Sequence, residues 1–573
     1  MLWVRIPNEA IGELVLQWRV RVYSQSEIPV IIVNVRPLYS FKLSHRFPLM
    51  FFEKGVIITE LQFKSIQDVN MKKLFIIVIC LALTLFLLNN LSALATELQF
   101  DIETGDYIPL DDGTDPEQII RSIDPDAEIY RLALNSQRAR LRGVTVDELI
   151  AILEDEGYNH INVATIEGAI NPTAVLAAGN RMITLKQSGD YVTIIWDDCE
   201  RGLFPLLDPT DTTDTGEITV AQLGLERITE VDNPLNGMCY IYKLSDGSAV
   251  IVDGGHFGNV DKLFEALGSL DIAKDGEGRY RISCWILTHG HSDHYGALFC
   301  FVEQYRAYAT IESYMHSLST DEEVLSPLEC DVPSIVNWFV QRYPDAIEIT
   351  PHAGLKYHFD NLTVNMLYTP DLRPDSNYTN DTSLIFTLEC DGARVLHMGD
   401  AGELAAKACW SEYEGAAFRS DMLQITHHGF TTGVDTPHEW EYIGKIYDAT
   451  DASVGLLPMG TRYAEDIRNG RYTVLVEWGS MGTHVSFLLD DGASDTNLVL
   501  TTQAEYDRFV ADVESGATTK TLWGYDGVNV IYGKNGMKTY IMSAESYNMA
   551  TLFSLSGEGA ELILNQPLED WLK

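Results

Sequence analysis

The most constraining feature of this chain is the stretch 288–296, which reads Thr-His-Gly-His-Ser-Asp-His-Tyr-Gly. The apolar run 282–287 directly before it predicts a short buried strand. Apolar residues after Tyr295 recur at helical spacing, so the stretch is predicted to lie on a strand-to-helix loop. Three histidines and an aspartate fall within six positions: His289, His291, Asp293 and His294.

The spacing of these four side chains favours a site for two metal ions. On a loop, His289 and His291 can turn to one side, while Asp293 and His294 reach a second point nearby. Neutral imidazole and carboxylate suit zinc, manganese or iron, and a two-metal site needs this density of ligands. The alternative is a polar loop with incidental histidines, which a lone histidine would favour more than this cluster does.

A second feature, nearer the N-terminus, predicts export. Met71-Lys72-Lys73 is followed by an apolar segment at 74–88 and by Ala93-Leu94-Ala95. A charged start, a core of about 15 apolar residues and an A-x-A site are typical of a secretory signal peptide, here 71–95. The apolar core is shorter than the roughly 20 residues that span a membrane, so we expect no permanent membrane span.

Residues 1–70 precede this predicted signal peptide. They are mildly basic and contain apolar runs, without a clear helix or strand organisation. Because a signal peptide belongs at the N-terminus, we expect translation to begin at Met71 and residues 1–70 to come from a misassigned upstream start. The alternative is a genuine extension with an internal anchor.

The charge of the chain restricts its partners. Asp and Glu number 83 against 40 Lys and Arg, which gives a formal net charge of -43. This acidity argues against nucleic acid or an anionic membrane as a partner. Of the eight cysteines, Cys80 lies in the predicted signal peptide, and the others are scattered without CxxC spacing. They predict neither a disulfide framework nor a cysteine-rich zinc site.

The remaining chain divides into four predicted segments. Residues 96–206 are expected to form an α+β accessory domain, with a helix entered through Thr145 and strands around a turn at 188–190. Residues 207–217 form a polar linker, since their aspartates do not meet the calcium-loop pattern. A hydrolase domain follows at 218–490. Residues 491–573 predict a small β-rich extension packing on it, or alternatively a module that binds a polymer surface.

Within 218–490 one arrangement recurs, in which a buried strand or hairpin ends in polar residues. Such apolar strands predict a core between two sheets, with the polar groups gathered at one rim. His397 should point to the opposite face from Asp400, because side chains alternate along a strand. The strand ends deliver Asp253-Gly254-Gly255, the histidine stretch, Gly399-Asp400 and His427-His428-Gly429.

This pattern resembles the metallo-β-lactamase fold superfamily. The resemblance implies an α/β fold, a four-layer αββα sandwich. Asn380-Asp381-Thr382-Ser383-Leu384 together with His427-His428-Gly429 looks closer to one branch of that superfamily. The branch includes the nuclease-like domain of the DNA-uptake protein ComEC and secreted phosphorylcholine esterases.

The resemblance also implies a ligand set. His289 and His291 would hold the first metal, Asp293 and His294 the second, and Asp400 both. His428 is favoured over His427 to complete the second site, which would leave the other histidine to contact substrate or donate a proton.

One departure from the lactamases concerns the first metal. Asn380 and Asp381 stand about where the lactamases place a further histidine, so a weaker oxygen ligand is expected there, and β-lactam hydrolysis is doubtful. His316, His352 or His358 could substitute.

The implied mechanism is hydrolysis assisted by two divalent metal ions, Zn²⁺ or Mn²⁺. Two cations about 3.5–4 Å apart lower the pKa of a shared water toward about 7, and Asp293 would orient the resulting hydroxide. Asp293, His427 and His428 are the candidate catalytic residues, and the expected substrate is a phosphodiester or phosphoester in a small molecule or envelope polymer. The alternatives are a non-catalytic metal-binding envelope protein, a hydrolase of a lactone or amide, and a nuclease of DNA uptake. The oligomeric state stays open.

Overall fold

The computed structural model divides the chain into two compact units, Met1–Thr96 and Glu97–Lys573. The predicted signal peptide, most of the predicted linker and much of the chain between 461 and 536 lie outside the described residues. Within the described residues, no helix has the length and apolar character to cross a membrane. The structure describes residues 16–23, 30–37, 45–50, 57–63, 98–100, 107–109, 113–131, 136–198, 206–207, 216–225, 237–318, 339, 341–370, 379–429, 441–460, 475–477, 484–486, 497–498, 511, 515, 521–522, 530–532, 537–544 and 547–573.

The first unit contains two antiparallel hairpins, an organisation that is not clear from its sequence. They pair β1 (Leu16–Tyr23) with β2 (Val30–Pro37), and β3 (His45–Met50) with β4 (Ile57–Phe63). The start at Met71 stays a prediction.

The second unit begins with a short hairpin and a six-stranded antiparallel sheet, which we name the N-terminal sheet. Its strand order is β7-β8-β12-β11-β10-β9. The elements are β5 (Leu98–Phe100), β6 (Tyr107–Pro109), α1 (Pro116–Ile123), β7 (Ile129–Arg131), β8 (Ser136–Arg142), α2 (Val146–Asp155), β9 (Asn159–Ile161), β10 (Ala174–Ala178), β11 (Arg181–Ser188) and β12 (Tyr191–Asp198).

Two local predictions in this region are confirmed. Thr145 caps α2: its side chain accepts a hydrogen bond from the Glu148 N–H, and the Glu148 carboxylate accepts one from the Thr145 N–H. Such a capping box satisfies two backbone donors at the helix start. The turn after Ser188 joins β11 to β12, with Ser188 paired to Tyr191. A separate accessory domain stays a prediction.

Two larger sheets follow, named sheet 1 and sheet 2. Sheet 1 has the order β19-β18-β16-β15-β14-β13-β33-β32, with β17 on β16 and β34 on β33. Its strands are β13 (Ile218–Leu223), β14 (Cys239–Lys243), β15 (Ala249–Asp253), β16 (Tyr280–Ile286), β17 (Ala309–Ile311), β18 (Ser313–Met315), β19 (Ile347–Ile349), β32 (Ser543–Ala544), β33 (Tyr547–Ser556) and β34 (Gly559–Pro567). The predicted hairpin that closes on Asp253 is formed by β14 and β15.

Sheet 2 has the order β20-β21-β22-β23-β24-β25-β31-β30. Its strands are β20 (Lys356–Phe359), β21 (Leu362–Tyr368), β22 (Ile385–Cys390), β23 (Ala393–His397), β24 (Met422–Gln424), β25 (Val454–Leu457), β30 (Val530–Tyr532) and β31 (Lys538–Ile541). The predicted hairpin before Asp400 is formed by β22 and β23. Two further pairs lie outside the sheets: β26 (Leu475–Glu477) with β27 (His484–Ser486), and β28 (Asn497–Leu498) with β29 (Thr521–Leu522).

The sheets and helices stack in four layers, which confirms the predicted αββα sandwich. One buried cluster, with Tyr240 from sheet 1 and Phe386 from sheet 2, fills the space between the sheets. A second cluster packs Trp285 of sheet 1 on two helices, and a third packs Leu423 of sheet 2 on two others. Burying each such side chain contributes roughly 1.5–3 kcal/mol. The helices are α3 (Val260–Ser269), α4 (Ser292–Gln304), α5 (Glu403–Trp410), α6 (Glu441–Thr450) and the terminal α7 (Leu568–Trp571).

The C-terminal segment contributes strands to both sheets. β33 pairs antiparallel with β13, and β31 pairs in parallel with β25. Phe553 of β33 is buried in the cluster between the sheets. The sequence places residues 538–567 in an extension. In the structure they add strands to both sheets, next to β13 in sheet 1 and next to β25 in sheet 2.

The two sheets approach closely at the rim where β16 and β23 end. Leu384 donates its N–H to the carbonyl of Thr288, which joins the sheets at 3.0 Å. Gly399 has φ +53°, and a Cβ on it would lie 2.9 Å from Thr288 Cβ and 3.0 Å from Ser383 Cβ. Only glycine fits this approach without displacing its neighbours, and it places Asp400 against the loop after β16.

Candidate metal centre

The histidine-rich stretch lies between the end of β16 and the start of α4. β16 ends at Ile286 and α4 begins at Ser292. The helix thus begins earlier than its apolar spacing predicts, and Asp293 and His294 lie in its first turn. Asp293 is favourably placed there, because a helix N-terminus stabilises negative charge.

Six side chains from three strand ends meet at this rim in two groups. Within each group, ligand atoms lie within 4.8 Å of one another. The groups coincide with those that the resemblance implies, while their binding of metal stays a prediction. The first group is His289, His291 and Asp400, and the second is Asp293, His294 and His428.

Asp400 faces both groups. Its Oδ2 lies 3.2 Å from His294 Nε2, 3.4 Å from His428 Nε2 and 3.7 Å from His289 Nε2. His428 Nε2 also lies 3.2 Å from Asp293 Oδ2. One carboxylate oxygen thus faces imidazoles of both groups, as expected of a ligand that two cations share.

A second layer of residues orients the histidines, and the sequence reasoning assigned it no role. Asp253 Oδ2 lies 2.8 Å from His294 Nδ1 and accepts a hydrogen bond from Thr288 Oγ1, while Asp253 Oδ1 accepts one from the Thr288 N–H. His428 Nδ1 donates to the carbonyl of Pro458 at 2.6 Å. Both contacts hold the proton on Nδ1 and leave Nε2 as the ligand atom. A signal was available for Asp253, since the sequence places it at the end of a predicted strand, and the structure pairs that strand in parallel with β16.

The buried polar atoms of the cluster fit divalent cations. His294 Nε2, His428 Nε2 and Asp400 Oδ1 are buried and make no hydrogen bond within the described residues. Such atoms are costly unless another partner satisfies them. Imidazole nitrogen together with carboxylate oxygen suits zinc, manganese or iron.

The carboxylates of the cluster also favour positive charge at the neighbouring histidines. Burial lowers the pKa of His294, but Asp400, Asp253 and Asp293 outweigh it and hold that pKa well above its usual value. In the same way, Asp400 and Asp293 overcome burial and raise the pKa of His428 to about 10. Burial holds the pKa of His289 well below its usual value. A cation that binds here must displace the protons of His294 and His428, since imidazole coordinates in its neutral form.

The two adjacent histidines differ in what they contact. His427 and His428 have φ of 47° and 53°, a left-handed conformation that is rare for residues other than glycine and is found at functional sites. This turn sends His428 into the second group. His427 Nε2 lies 3.2 Å from Asn380 Nδ2 instead. Asn380 Oδ1 is buried without a hydrogen bond among the described residues, so it stays a candidate oxygen ligand.

Asp381, the other predicted oxygen ligand at this position, contacts the start of α5. Its Oδ1 accepts hydrogen bonds from the N–H groups of Gly402 and Ala405 at 3.1 and 3.3 Å. Asp381 therefore caps the start of α5 and is not in either ligand group. Burial raises its pKa, although both backbone donors oppose the shift.

The other candidate histidines have protein partners away from the cluster. His316 lies between Glu348 and the Leu318 N–H, and His352 between Thr184 and Asp197. His358 contacts Thr363. His397 lies on the opposite face from Asp400, as predicted, where its ring contacts Tyr240, Tyr242 and Phe386 in the core.

A pair of substitutions tests the distinction between the adjacent histidines. We expect His428→Ala to remove most metal from the second site, because it deletes a ligand atom facing Asp293 and Asp400. His427→Ala should keep about two metals per chain. Plasma emission spectrometry of the dialysed variants measures this. Loss of metal from His427→Ala alone would contradict the assignment.

Residues 232–358 match the profile of the Metallo-beta-lactamase superfamily. Residues 232–358 belong to the metallo-beta-lactamase superfamily. The metallo-beta-lactamase segment spans β14 to β20 and carries Asp253 with four of the six clustered side chains. No curated protein matches the chain by sequence.

Solved structures similar to this chain include three metallo-beta-lactamase-fold or metal-binding proteins. YhfI from Bacillus subtilis is 13% identical, covers 42% of this chain and 85% of its own length, and has a TM-score of 0.26. CmlA, a diiron beta-hydroxylase from Streptomyces venezuelae, is 12% identical over 43% of this chain and 46% of its own, with a TM-score of 0.25. Zn²⁺-bound PqqB from Methylobacterium extorquens is 12% identical over 37% and 72%, with a TM-score of 0.25.

Proposed function

We propose that this chain is a metal-dependent hydrolase that cleaves a phosphodiester or another phosphoester. One observation carries the proposal: Asp400 Oδ2 lies within 3.2–3.7 Å of three imidazole nitrogens that belong to both ligand groups. Membership of a superfamily made up typically of metal-dependent hydrolases supports it.

The side chains of the cluster would bind the cations and orient the attacking water. Two divalent cations, zinc or manganese, would supply Lewis-acid stabilisation and a water with a pKa lowered toward about 7. His289 and His291 would hold the first cation, His294 and His428 the second, and Asp400 both. Asp293 would contribute a ligand oxygen and accept a hydrogen bond from the attacking water.

His427 completes the proposed chemistry. It lies beside Asn380 at the same rim and outside both ligand groups. From there it would contact the substrate or donate a proton to the leaving group. Its neighbour Asn380 would remain available as a weak oxygen ligand of the first cation.

One feature favours a phosphoester over a β-lactam, and a second restricts which phosphoester it is. Asn380 and Asp381 replace the further histidine that lactamases use, and the structure turns Asp381 toward α5. The net charge of -43 disfavours long nucleic acid and favours a neutral or cationic leaving group such as a choline-like moiety. A small molecule or an envelope polymer with such a group fits both features.

Three chromogenic substrates test this choice. We expect metal-dependent turnover of bis-p-nitrophenyl phosphate or p-nitrophenyl phosphorylcholine, and none of nitrocefin. His289→Ala provides the blank, and His160→Ala, an exposed histidine on β9, is the matched control that should retain activity. Turnover of nitrocefin alone would overturn the phosphoester proposal. No turnover of any substrate by metal-loaded protein would favour a non-catalytic binding protein.

We also propose export through residues 71–95, with the secreted chain starting at Thr96. Ala93 and Ala95 provide the small residues that signal peptidase requires. N-terminal sequencing of secreted material after expression from Met71 measures the cleavage site. Recovery of peptides from residues 1–70 in native protein would disprove the misassigned start.

A further inference from the structure

A cavity of about 180 Å³ separates the N-terminal sheet from β21 and α5. Its wall on one side is formed by β8, β11 and β12, and on the other by the end of β21 and the last turn of α5. None of the clustered histidines or aspartates lines it. The cationic side chains of its wall are Arg138, Arg140 and Lys186.

Strand register places these cations on one face. Thr193 of β12 pairs with Arg140 on one side and with Lys186 on the other. Adjacent strands are about 4.8 Å apart, so the two cations stand about 10 Å apart at the backbone, with a hydroxyl between them. Arg138 lies two residues before Arg140 and therefore on the same face.

The opposite face of the sheet has a different composition. Alternate residues such as Ala139, Leu141 and Leu185 are buried against α1 and α2. The N-terminal sheet is covered on both faces, so apolar side chains are expected on the cavity face as well. The cations occupy that face instead. Arg138 is only 9% exposed, and the Lys186 side chain 13%.

The wall carries more positive than negative charge. Glu412 is the one carboxylate among the described lining residues, and it pairs with Lys186 at 2.9 Å. Hydroxyl groups complete the polar lining, including Thr184, Thr193 and Ser411. Glu412 balances Lys186, so the lining has two more cationic than anionic side chains, a composition that favours an anion in a chain with a net charge of -43.

We propose that this cavity binds a phosphate group, as a free ion or as a small monoester. Arginine offers a planar fork that matches phosphate oxygens, and lysine and threonine add further donors. A volume of about 180 Å³ holds about six waters, which suits phosphate or a small phosphate ester. It is below the roughly 300 Å³ at which sites for drug-sized ligands begin, which favours a small ligand.

The cavity is linked to the start of α5 through Tyr368 and Asp381, and it shares no residue with the two ligand groups. Tyr368 lines the cavity and donates its hydroxyl to the carbonyl of Asp381 at 3.4 Å. Asp381 in turn caps α5, the helix whose last turn closes the cavity. The proposal concerns binding alone and does not rest on the hydrolase activity.

Calorimetric titration of the purified full chain with orthophosphate and with glycerol phosphate tests the site. We expect binding of at least one of them, weakened about tenfold or more by Arg140→Gln and by Lys186→Gln, since each removes a charged donor. Arg121→Gln is the matched control: Arg121 lies on α1, behind the other face of the sheet, and pairs with Glu117. It should leave the affinity unchanged.

The comparison of the two ligands identifies the source of the phosphate, with tighter binding of glycerol phosphate indicating a monoester. Asp400→Asn separates this site from the metal centre. Binding that is lost in Asp400→Asn but kept in Arg140→Gln overturns the proposal, as does the absence of binding by either ligand. Circular dichroism checks folding, and Arg140→Lys, which keeps the charge, should bind more tightly than Arg140→Gln.

Discussion

Asp400→Ala is expected to reduce the metal content from about two equivalents per chain to one or fewer, and to abolish most hydrolysis. The carboxylate faces His289, His294 and His428 at 3.2–3.7 Å, so its removal would take a ligand from both proposed cations. Loss of an outer partner already costs about 10–100-fold, so loss of this ligand should cost at least about a hundredfold in turnover. Emission spectrometry and the chromogenic assay measure the two effects.

His397→Ala is the control for this substitution. His397 lies three residues away on β23, but its ring packs between the sheets beside Tyr242, and burial lowers its pKa to about 3. The variant should retain its metals and lose thermal stability instead. Equal metal loss from both variants would mean that the strand register or the ligand set is wrong.

Asp253→Asn is expected to weaken metal binding by about 10–100-fold without unfolding the chain. Asp253 contacts no proposed cation; it accepts from Thr288 and holds the Nδ1 proton of His294. An amide replaces one of these acceptor oxygens with a donor, so the orientation of His294 is lost. Competition with a chromophoric chelator measures the zinc affinity.

Backbone strain does not confound this result. Asp253 has φ of 55°, a conformation that asparagine also tolerates. Asp360→Asn is a matched control, since Asp360 has φ of 50° and accepts from Ser245 and Asp246 in an exposed turn. An unchanged affinity in Asp253→Asn would show that the hydrogen bond to His294 does not position the ligand.

The sequence by itself was enough to locate the rim and most of its chemistry. The stretch around His289 supplies four potential ligands within six residues, and short-range spacing of this kind survives any tertiary arrangement. The hairpins before Asp253 and Asp400 were equally accessible, because turn residues and apolar alternation are local signals.

Other roles depended on the tertiary structure. The sequence predicts Asp381 as a ligand from its place in the chain, and the fold adds that its Oδ1 accepts hydrogen bonds from two backbone N–H groups of the α5 region. A backbone turn with positive φ directs the side chains of His427 and His428 to different neighbours. Because the two residues are adjacent in one motif, the sequence does not reveal which of them joins the ligand group. His352 likewise contacts Thr184 and Asp197, partners more than 150 positions away in sequence.

The contribution of the C-terminal strands was also a tertiary outcome. Short strands after residue 536 predict β structure, but their partners β13 and β25 lie far away along the chain. Side-chain periodicity reveals which face of a strand is buried, and it does not reveal which strand edge provides the hydrogen bonds. The local sequence therefore determined where metals could bind. Long-range packing decided which neighbouring groups orient the ligands, and which polar side chains instead cap a helix or pack against a sheet.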